Sequence, residues 1–334
     1  MIKVGINGFG RIGRLATRLI LKEYKDKVQL VAVNTSGKMD AAGWAHLLKY
    51  DSVYGKYEGE IESGNEQMIV DGINIPVMGE LDPEKIPWGK YGAEIVIEST
   101  GVFHTETDIK KHLRDTVKKV ILSAPPKEGN IPIYIIGVNE NELKSEPIIS
   151  CASCTTNCIA PIVKLIDEKV GIKKAIMTTI HAYTSDQELL DGSHRDLRRS
   201  RSAAINIVPT TTGAAEATGK VYPKLANLFG GLSLRVPVPV GSLSDLVFVL
   251  ERKTTSQEVN NVIKQASQTE LKGVLGYTTE PLVSSDIIGS RLSCIIDLSL
   301  TTIIDGDLLK IIAWYDNEWG YINRLVEETL LVAK

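Results

Sequence analysis

The chain has 334 residues, and at roughly 150 residues per domain that is a little over two domains. Hydrophobic residues make up 43% and charged residues 24%, a balance that excludes disordered and fibrous classes and supplies apolar material for two cores. Lys plus Arg number 38 against 41 Asp plus Glu, a formal charge of -3, so neither general nucleic-acid affinity nor attraction to an anionic membrane is expected.

Met1–Asn7 runs straight into a strand-like segment with no cationic leader. No stretch reaches the roughly 18 apolar residues of a membrane-crossing helix, and a soluble, cytoplasmic protein is expected. Residues Ile2–Asn7, Val28–Asn34, Glu94–Glu98, Lys119–Ser123 and Ile133–Val138 read as β-branched strands, several apolar enough for a parallel sheet covered on both faces. Between the first two, Arg11–Glu23 places Ile12, Leu15, Ala16, Leu19 and Ile20 on one helical face. This βαβ grain predicts an α/β fold, a doubly wound Rossmann domain. From about residue 151 the grain changes. A helical stretch, Thr155–Val170, precedes longer alternating segments at Ala175–His181, Leu232–Pro237, Asp245–Leu250, Ile295–Thr302 and Leu308–Asp316, which predict an α+β domain with a mostly antiparallel sheet. Gly320–Ala333 has helical periodicity. The division expected is 1–153 and 154–317, with the helix over 318–334 packing back on the first domain. The polar segment Ala182–Val208 is too long to be an idle connection.

Gly8-Phe-Gly10-Arg-Ile-Gly13 follows a predicted strand and opens a helix, the context that turns a weak glycine pattern into a dinucleotide-binding turn. Gly8 permits the tight turn, Gly10 lets the backbone approach a pyrophosphate, and Gly13 lets helix and strand pack closely, while the helix N-terminus offers free N–H groups. The residue that selects the cofactor ends the second strand. There the sequence reads Asn34-Thr35-Ser36-Gly37-Lys38, with no carboxylate to repel a 2′-phosphate. Thr35 and Ser36 are expected to donate to that phosphate and Lys38 to offset its charge; an ordinary polar turn on an NAD-binding protein is the plainer alternative.

Three of the four cysteines, Cys151, Cys154 and Cys158, fall between residues 151 and 158. Structural zinc needs four ligands, and no second Cys/His pair stands at suitable spacing, so no metal is expected; the order of elements around Cys151-x-x-Cys154 is not that of a thioredoxin-like domain. A nucleophile fits better, because a helix N-terminus stabilises a thiolate and a histidine completes its activation. His181, at the end of an apolar strand, is the candidate partner. His46, His104, His112 and His194 have no comparable placement. A Cys–His pair beside a nicotinamide points to aldehyde oxidation through a thioester.

With these residues in hand, the chain resembles the glyceraldehyde-3-phosphate dehydrogenase family along essentially its whole length. The matching segments are Val4-Gly-Ile-Asn-Gly-Phe-Gly-Arg-Ile-Gly-Arg14, Ser153-Cys-Thr-Thr-Asn-Cys158, Met177-Thr-Thr-Ile-His-Ala-Tyr-Thr184, Pro209-Thr-Thr-Thr-Gly-Ala-Ala215, Leu234-Arg-Val-Pro237 and Trp314-Tyr-Asp-Asn-Glu-Trp-Gly-Tyr321. The resemblance implies that Cys154 attacks the aldehyde to give a thiohemiacetal and that His181 accepts the hydroxyl proton as hydride leaves. Inorganic phosphate then releases 1,3-bisphosphoglycerate from the thioester. The C3-phosphate would be held by Thr184, Asp186 and Arg235, and the attacking phosphate by Ser153, Thr155, Thr212, Gly213 and Arg199. Asn317 and Tyr321 would orient the nicotinamide. Arg11, Ile12, Asn34, Ser99, Thr100, Gly101 and Ser123 complete the implied cofactor-binding set. Ala182–Val208 matches the family's S-shaped loop, which implies a homotetramer.

Two departures stand out. NAD-specific members have an acidic residue after the second strand and Leu-Pro in the S-shaped loop, where this chain has Thr35-Ser36 and Gly192-Ser193. The segment Asp191-Gly-Ser-His-Arg-Asp-Leu-Arg-Arg199 is similar instead to NADP-using photosynthetic members, in which hydroxyls at the positions of Ser36 and Ser193 contact the 2′-phosphate. NADP use, alongside NAD or in preference to it, is expected. Cys151 stands where the family has Asn or Gly; it is either small-residue filling or a redox partner able to form a disulfide with Cys154. Cys158 and Cys294 read as small buried residues. The alternatives are an erythrose-4-phosphate dehydrogenase and a nucleotide-binding regulatory protein without catalysis.

Overall fold

The computed structural model describes residues 1–333. The chain divides into two compact units: one made of Met1–Tyr134, Asn141–Ala152 and the chain from Ile322 onward, the other of Ile135–Glu140 and Ser153–Tyr321. The short excursion 135–140 thus belongs to the second unit, although the sequence places it within the first.

The first unit is built on strands β1 (Ile2–Asn7), β2 (Val28–Asn34), β3 (Ile61–Gly64), β4 (Gln67–Val70), β5 (Ile73–Met78), β6 (Ile95–Glu98), β7 (Lys119–Leu122) and β8 (Ile148–Ser150), in the order β8-β7-β6-β1-β2-β5-β4-β3. From β8 to β5 every pairing is parallel; β5-β4 and β4-β3 are antiparallel. Val4, Ile6, Val33, Val96, Ile97 and Ile121 are buried, as strands covered on both faces require. Helix α1 (Arg11–Leu19) buries Leu15, Ala16 and Leu19 and continues through Ile20–Tyr24 as a wider π turn, where the sequence had predicted a single helix to Glu23. The predicted strand Ile133–Val138 is not one. Only Ile133 bridges to Ser150; beyond it Gly137 takes a φ of 86° and the Asn139 side chain accepts from the Ile135 N–H at 2.8 Å, which closes a turn.

In the second unit helix α2 (Cys154–Lys169) leads to β9 (Ile172–Ala182), β10 (Val208–Thr210), α3 (Ala214–Val221), β11 (Phe229–Val236), β12 (Ser242–Leu250), α4 (Ser256–Gln268), β13 (Leu275–Thr278), β14 (Cys294–Asp297), β15 (Thr302–Ile304), β16 (Leu308–Tyr315) and α5 (Trp319–Val332), which joins the first unit from Ile322. The sheet runs β10-β11-β9-β12-β16-β14-β13, with β15 on β16. It is mostly antiparallel, as expected, but β9 pairs with β11 and β13 with β14 in parallel. The segment read as one strand over Ile295–Thr302 is split, because the Asp297 carboxylate accepts from both the N–H and the hydroxyl of Ser299 and turns the chain.

One face of this sheet is sealed by α2 and α4: Ile159, Ile162, Ile166, Val259 and Ile263 pack with Met177, Leu246, Phe248 and Ile311. On the other face Ile176 is 57% and Leu232 43% exposed in the single chain. No helix among the described residues is long and apolar enough to cross a membrane.

Candidate active site

Three glycines shape the turn after β1 for different reasons. Gly8 has a φ of 97°, and a Cβ there would meet the backbone of Ser99 and Thr100 at 2.5 Å; a Cβ on Gly13 would stand 2.0 Å from the Gly8 carbonyl. Gly10, the residue before α1, faces open space. Backbone N–H groups at the start of α1 are thereby left approachable, the geometry a pyrophosphate needs. Arg11 is drawn to Asp51 through two nitrogens at 2.8 and 3.3 Å, and Ile12 is half-buried beside it. Ser99, Thr100 and Gly101 follow β6, with Gly101 at a φ of 71°. Ser123 follows β7 and donates its N–H to the Glu98 carbonyl at 2.9 Å.

The selecting turn corrects one expectation. The Thr35 hydroxyl donates to the Met78 carbonyl at 2.8 Å and accepts from the Gly37 N–H at 3.2 Å, so its one proton is spent inside the turn and it is not a phosphate donor. Ser36 and Lys38 are exposed. Ser193 is also exposed.

Cys154 is the first residue of α2, and the Ser153 hydroxyl caps the helix by accepting the Thr156 N–H at 3.1 Å. Ala152 just before it takes a φ of 51°, the left-handed turn that ends the approach from β8. His181 lies near the end of β9, and its Nε2 is 3.4 Å from the Cys154 sulfur. Its Nδ1 lies 2.6 Å from the Ala182 carbonyl, which only accepts, and 2.9 Å from Arg235 Nη1, which only donates; the shorter contact, to the carbonyl, favours the proton on Nδ1, with the Nε2 lone pair facing the thiol.

Taken singly, both groups resist charge. Burial pushes the Cys154 thiol up, with Arg235 and the hydroxyl and N–H of Thr155 pulling the other way. Burial, and then the Arg235 cation, hold the imidazole down at about 3, against the Ala182 carbonyl and Asp186. Both directions favour the neutral pair of thiol and imidazole, which shares one proton. Within that state, moving the proton from Sγ to Nε2 leaves the net charge unchanged. At 3.4 Å the resulting thiolate and imidazolium attract by about 5 kcal/mol in an effective dielectric of about 20.

Sequence reasoning missed Tyr315. Its hydroxyl bonds Thr155 Oγ1 at 2.9 Å and Thr179 Oγ1 at 2.8 Å, and its ring meets His181 edge to face with centroids 6.0 Å apart. Three hydroxyls thus form a chain, Thr179 to Tyr315 to Thr155, that ends beside the sulfur. The signal was present: Thr179 and His181 are two residues apart on one strand and share its buried face.

Of the residues expected to hold phosphate groups, Arg235 donates to the Thr184 hydroxyl and the Ala182 carbonyl, both at 3.1 Å. Thr184 donates to Asp186, which also accepts from Arg199 at 2.5 Å. Burial raises the Asp186 carboxyl, but Thr184, Arg235 and Arg199 together hold it below the ordinary range. Arg199, expected with the other group, thus joins Thr184, Asp186 and Arg235 in one cluster. The Ser153 and Thr155 hydroxyls are engaged with Thr156 and Tyr315. Thr212 accepts the Ala214 N–H at 3.2 Å and Gly213 stands exposed at the start of α3. The Asn317 carbonyl oxygen accepts from Gly241 N–H at 3.1 Å and Ser242 Oγ at 2.9 Å, so its amide nitrogen is the group left to donate elsewhere. Tyr321 is buried in α5. None of the four cysteines forms a disulfide, and Cys151, Cys158 and Cys294 are fully buried. No cluster among the described residues is suited to hold a metal.

Residues 2–106 match the NAD binding domain of glyceraldehyde 3-phosphate dehydrogenase, and residues 153–317 match its C-terminal domain. The chain belongs to the glyceraldehyde-3-phosphate dehydrogenase family. It is 51% identical over 335 residues to glyceraldehyde-3-phosphate dehydrogenase 2 of Streptomyces avermitilis, covering 99% of this chain and 98% of that one. The Thermotoga maritima enzyme is 50% identical over the full length of both chains. Glyceraldehyde-3-phosphate dehydrogenase A, chloroplastic, of Scenedesmus vacuolatus is 49% identical over 94% of this chain and all of its own. The family's two matched segments carry the glycine turn and the Cys154–His181 pair respectively.

Proposed function

We propose that the chain oxidises the aldehyde of glyceraldehyde 3-phosphate and transfers the acyl group to inorganic phosphate, giving 1,3-bisphosphoglycerate, with Cys154 as nucleophile and His181 as base. The observation that carries this reading is the 3.4 Å contact between Sγ and Nε2 at the N-terminus of α2. Cys154 adds to the carbonyl carbon while Nε2 takes the thiol proton, which moves on to the forming alkoxide. His181 then removes the hydroxyl proton of the thiohemiacetal as its carbon loses hydride, and a thioester remains on Sγ. The nicotinamide cofactor, when bound, supplies the hydride acceptor. Arg235, Arg199 and the Thr184 hydroxyl form the cationic and hydroxylic cluster assigned to the substrate's C3-phosphate, with the Asp186 carboxylate orienting Thr184 and Arg199. Thr212, Gly213 and the backbone N–H groups at the starts of α2 and α3 are assigned to the attacking phosphate, with Ser153 and Thr155 fixing the first of those helix ends.

The cofactor is read as NADP alongside NAD, supported by the uncharged Thr35, the exposed Ser36 and Lys38, and Ser193 in the long loop. Asn317 and Tyr321 are assigned to orienting the nicotinamide. A homotetramer acting in the cytoplasm is part of the same reading: Leu197 and Ile205, each 80% exposed, lie in the 182–208 segment, and the open face of the second sheet carries Ile176 and Leu232. Exposed apolar side chains of this kind favour burial against another copy. The test compares initial rates on glyceraldehyde 3-phosphate and erythrose 4-phosphate with NAD and with NADP. Higher kcat/KM on the three-carbon substrate is expected. Preference for erythrose 4-phosphate, or a kcat/KM for NADP about a thousandfold below that for NAD, some 4 kcal/mol, contradicts the corresponding part of the reading.

A further inference from the structure

A buried hydrogen-bond chain runs beneath the cofactor turns of the first unit. The Trp88 indole N–H donates to His112 Nδ1 at 3.1 Å. Indole nitrogen only donates, so Nδ1 is the acceptor and Nε2 carries the imidazole proton toward Glu98 Oε2 at 3.1 Å. Asn7 Nδ2 donates to the same oxygen at 2.5 Å, and the other oxygen, Oε1, accepts the N–H and the hydroxyl of Thr100. Asn7 Oδ1 in turn accepts from Asn34 Nδ2 at 2.7 Å, and the Asn34 amide clasps the Glu80 backbone through its N–H at 3.0 Å and its carbonyl at 2.8 Å. Glu98, His112, Trp88, Asn7 and Asn34 are all buried. Trp88 is fixed by packing on a residue without a side chain: a Cβ on Gly5 would stand 2.5 Å from its ring.

We propose that Glu98, oriented by His112 and Trp88, is a positioning residue for the nicotinamide cofactor, holding the glycine turn and the selecting turn in register from below. Four donors converge on its two oxygens, so the carboxylate is fully satisfied although buried, and each donor is fixed by it. Three of these donors, on Asn7 and Thr100, border the cofactor turns directly. Asn7 precedes Gly8, and Thr100 follows Ser99, whose hydroxyl donates to the Gly8 carbonyl at 2.9 Å. Through Asn7 the chain reaches Asn34, the residue before Thr35. A buried carboxylate without such a duty costs more than an apolar side chain of its size; here it ties the ends of β1, β2 and β6 to one point.

The inference rests on the reading that this unit binds the cofactor, and the wild-type protein tests that reading first: with no nicotinamide cofactor bound or turned over by the wild type, the reading itself fails. Given binding, Glu98→Gln places an amide N–H against donors, His112→Leu removes one donor, and His112→Gln restores both a donor and an acceptor. KM for NAD and NADP, KM for the aldehyde, and the rate of Cys154 alkylation by iodoacetamide are measured on the full chain. Glu98→Gln and His112→Leu are expected to raise both cofactor KM values about fivefold or more, roughly the loss of one well-made hydrogen bond, with aldehyde KM and alkylation within about twofold and His112→Gln close to wild type. Cofactor KM values unchanged in whichever variant folds overturn the proposal. So does a His112→Gln variant as impaired as His112→Leu, and so does failure of both disruptive variants to fold, which assigns the chain to stability alone.

Discussion

Arg235 Nη1 lies 2.9 Å from His181 Nδ1, the ring nitrogen that does not face Cys154. Because Nδ1 donates to the Ala182 carbonyl, this is a contact between two donors, and the guanidinium charge disfavours a second proton on the ring. If the substrate phosphate binds Arg235, as proposed above, it offsets that charge and makes His181 a better base.

Replacing the cation shows this without substrate. Burial is the larger cause of the low His181 pKa and Arg235 the next. In Arg235→Met the pKa is expected to rise from about 3 but to stay below the ordinary value of about 6.5. The acid limb of the rate of Cys154 alkylation against pH moves to higher pH accordingly. A limb that does not move refutes the coupling.

The same residue sets an acid dependence of stability. His181 has a folded pKa of about 3 and an unfolded one of about 6.5, so between those values the unfolded chain binds the extra proton. Stability is therefore unaffected by this group above about pH 6.5 and falls as pH drops toward about 3, by up to about 1.4 kcal/mol per unit. Relative to wild type, His181→Gln is expected to gain about 2 kcal/mol between pH 6.5 and 4.5, read from urea midpoints. A parallel pH dependence of the two proteins contradicts the assignment.

Tyr315→Phe removes the middle of the hydroxyl chain and leaves Thr155 and Thr179 without that partner. A loss of about 1–3 kcal/mol in stability is expected, measured by denaturant titration. Thr155 also loses its fixed orientation beside the thiol, so alkylation of Cys154 near pH 7 slows severalfold. Unchanged alkylation leaves Tyr315 a packing residue only.

Thr35→Asp places a carboxylate where the threonine hydroxyl meets the Met78 carbonyl. Two acceptors cannot share that contact, so the carboxylate turns outward, where it repels a 2′-phosphate by about 2 kcal/mol at about 6 Å in an effective dielectric of about 25. The ratio of kcat/KM for NADP over NAD is expected to fall about tenfold or more. An unchanged ratio places Thr35 away from the ribose.

How legible the molecule was depended on whether the decisive chemistry was local. The glycine turn, the helix opening around Cys154 and the strand ending near His181 are all readable, because turn, helix start and strand end are set by residues within a few positions. Strands β3, β4 and β5 are not legible: Ile61-Glu-Ser-Gly64 is a short edge strand whose exposed polar residues dilute the alternation, and Gln67–Val70 beside it has only four residues. Ile133–Val138 looks like a strand by composition, but Gly137 and the Asn139 side chain turn the backbone. Thr35 has the right residue type for a phosphate donor, and only the placement of the Met78 carbonyl shows its proton committed. The chain from Trp88 to Asn34 joins residues distant in sequence, so no spacing rule could reveal it.

The most direct test of the account is a rapid-mixing assay of cofactor reduction with glyceraldehyde 3-phosphate in the absence of inorganic phosphate, followed by its addition. A burst matching the content of Cys154 is expected, as the thioester accumulates, and then sustained turnover once phosphate is present, with no burst in Cys154→Ser. Sustained reduction at the same rate without phosphate, or a burst that survives the loss of Cys154, contradicts the thioester mechanism.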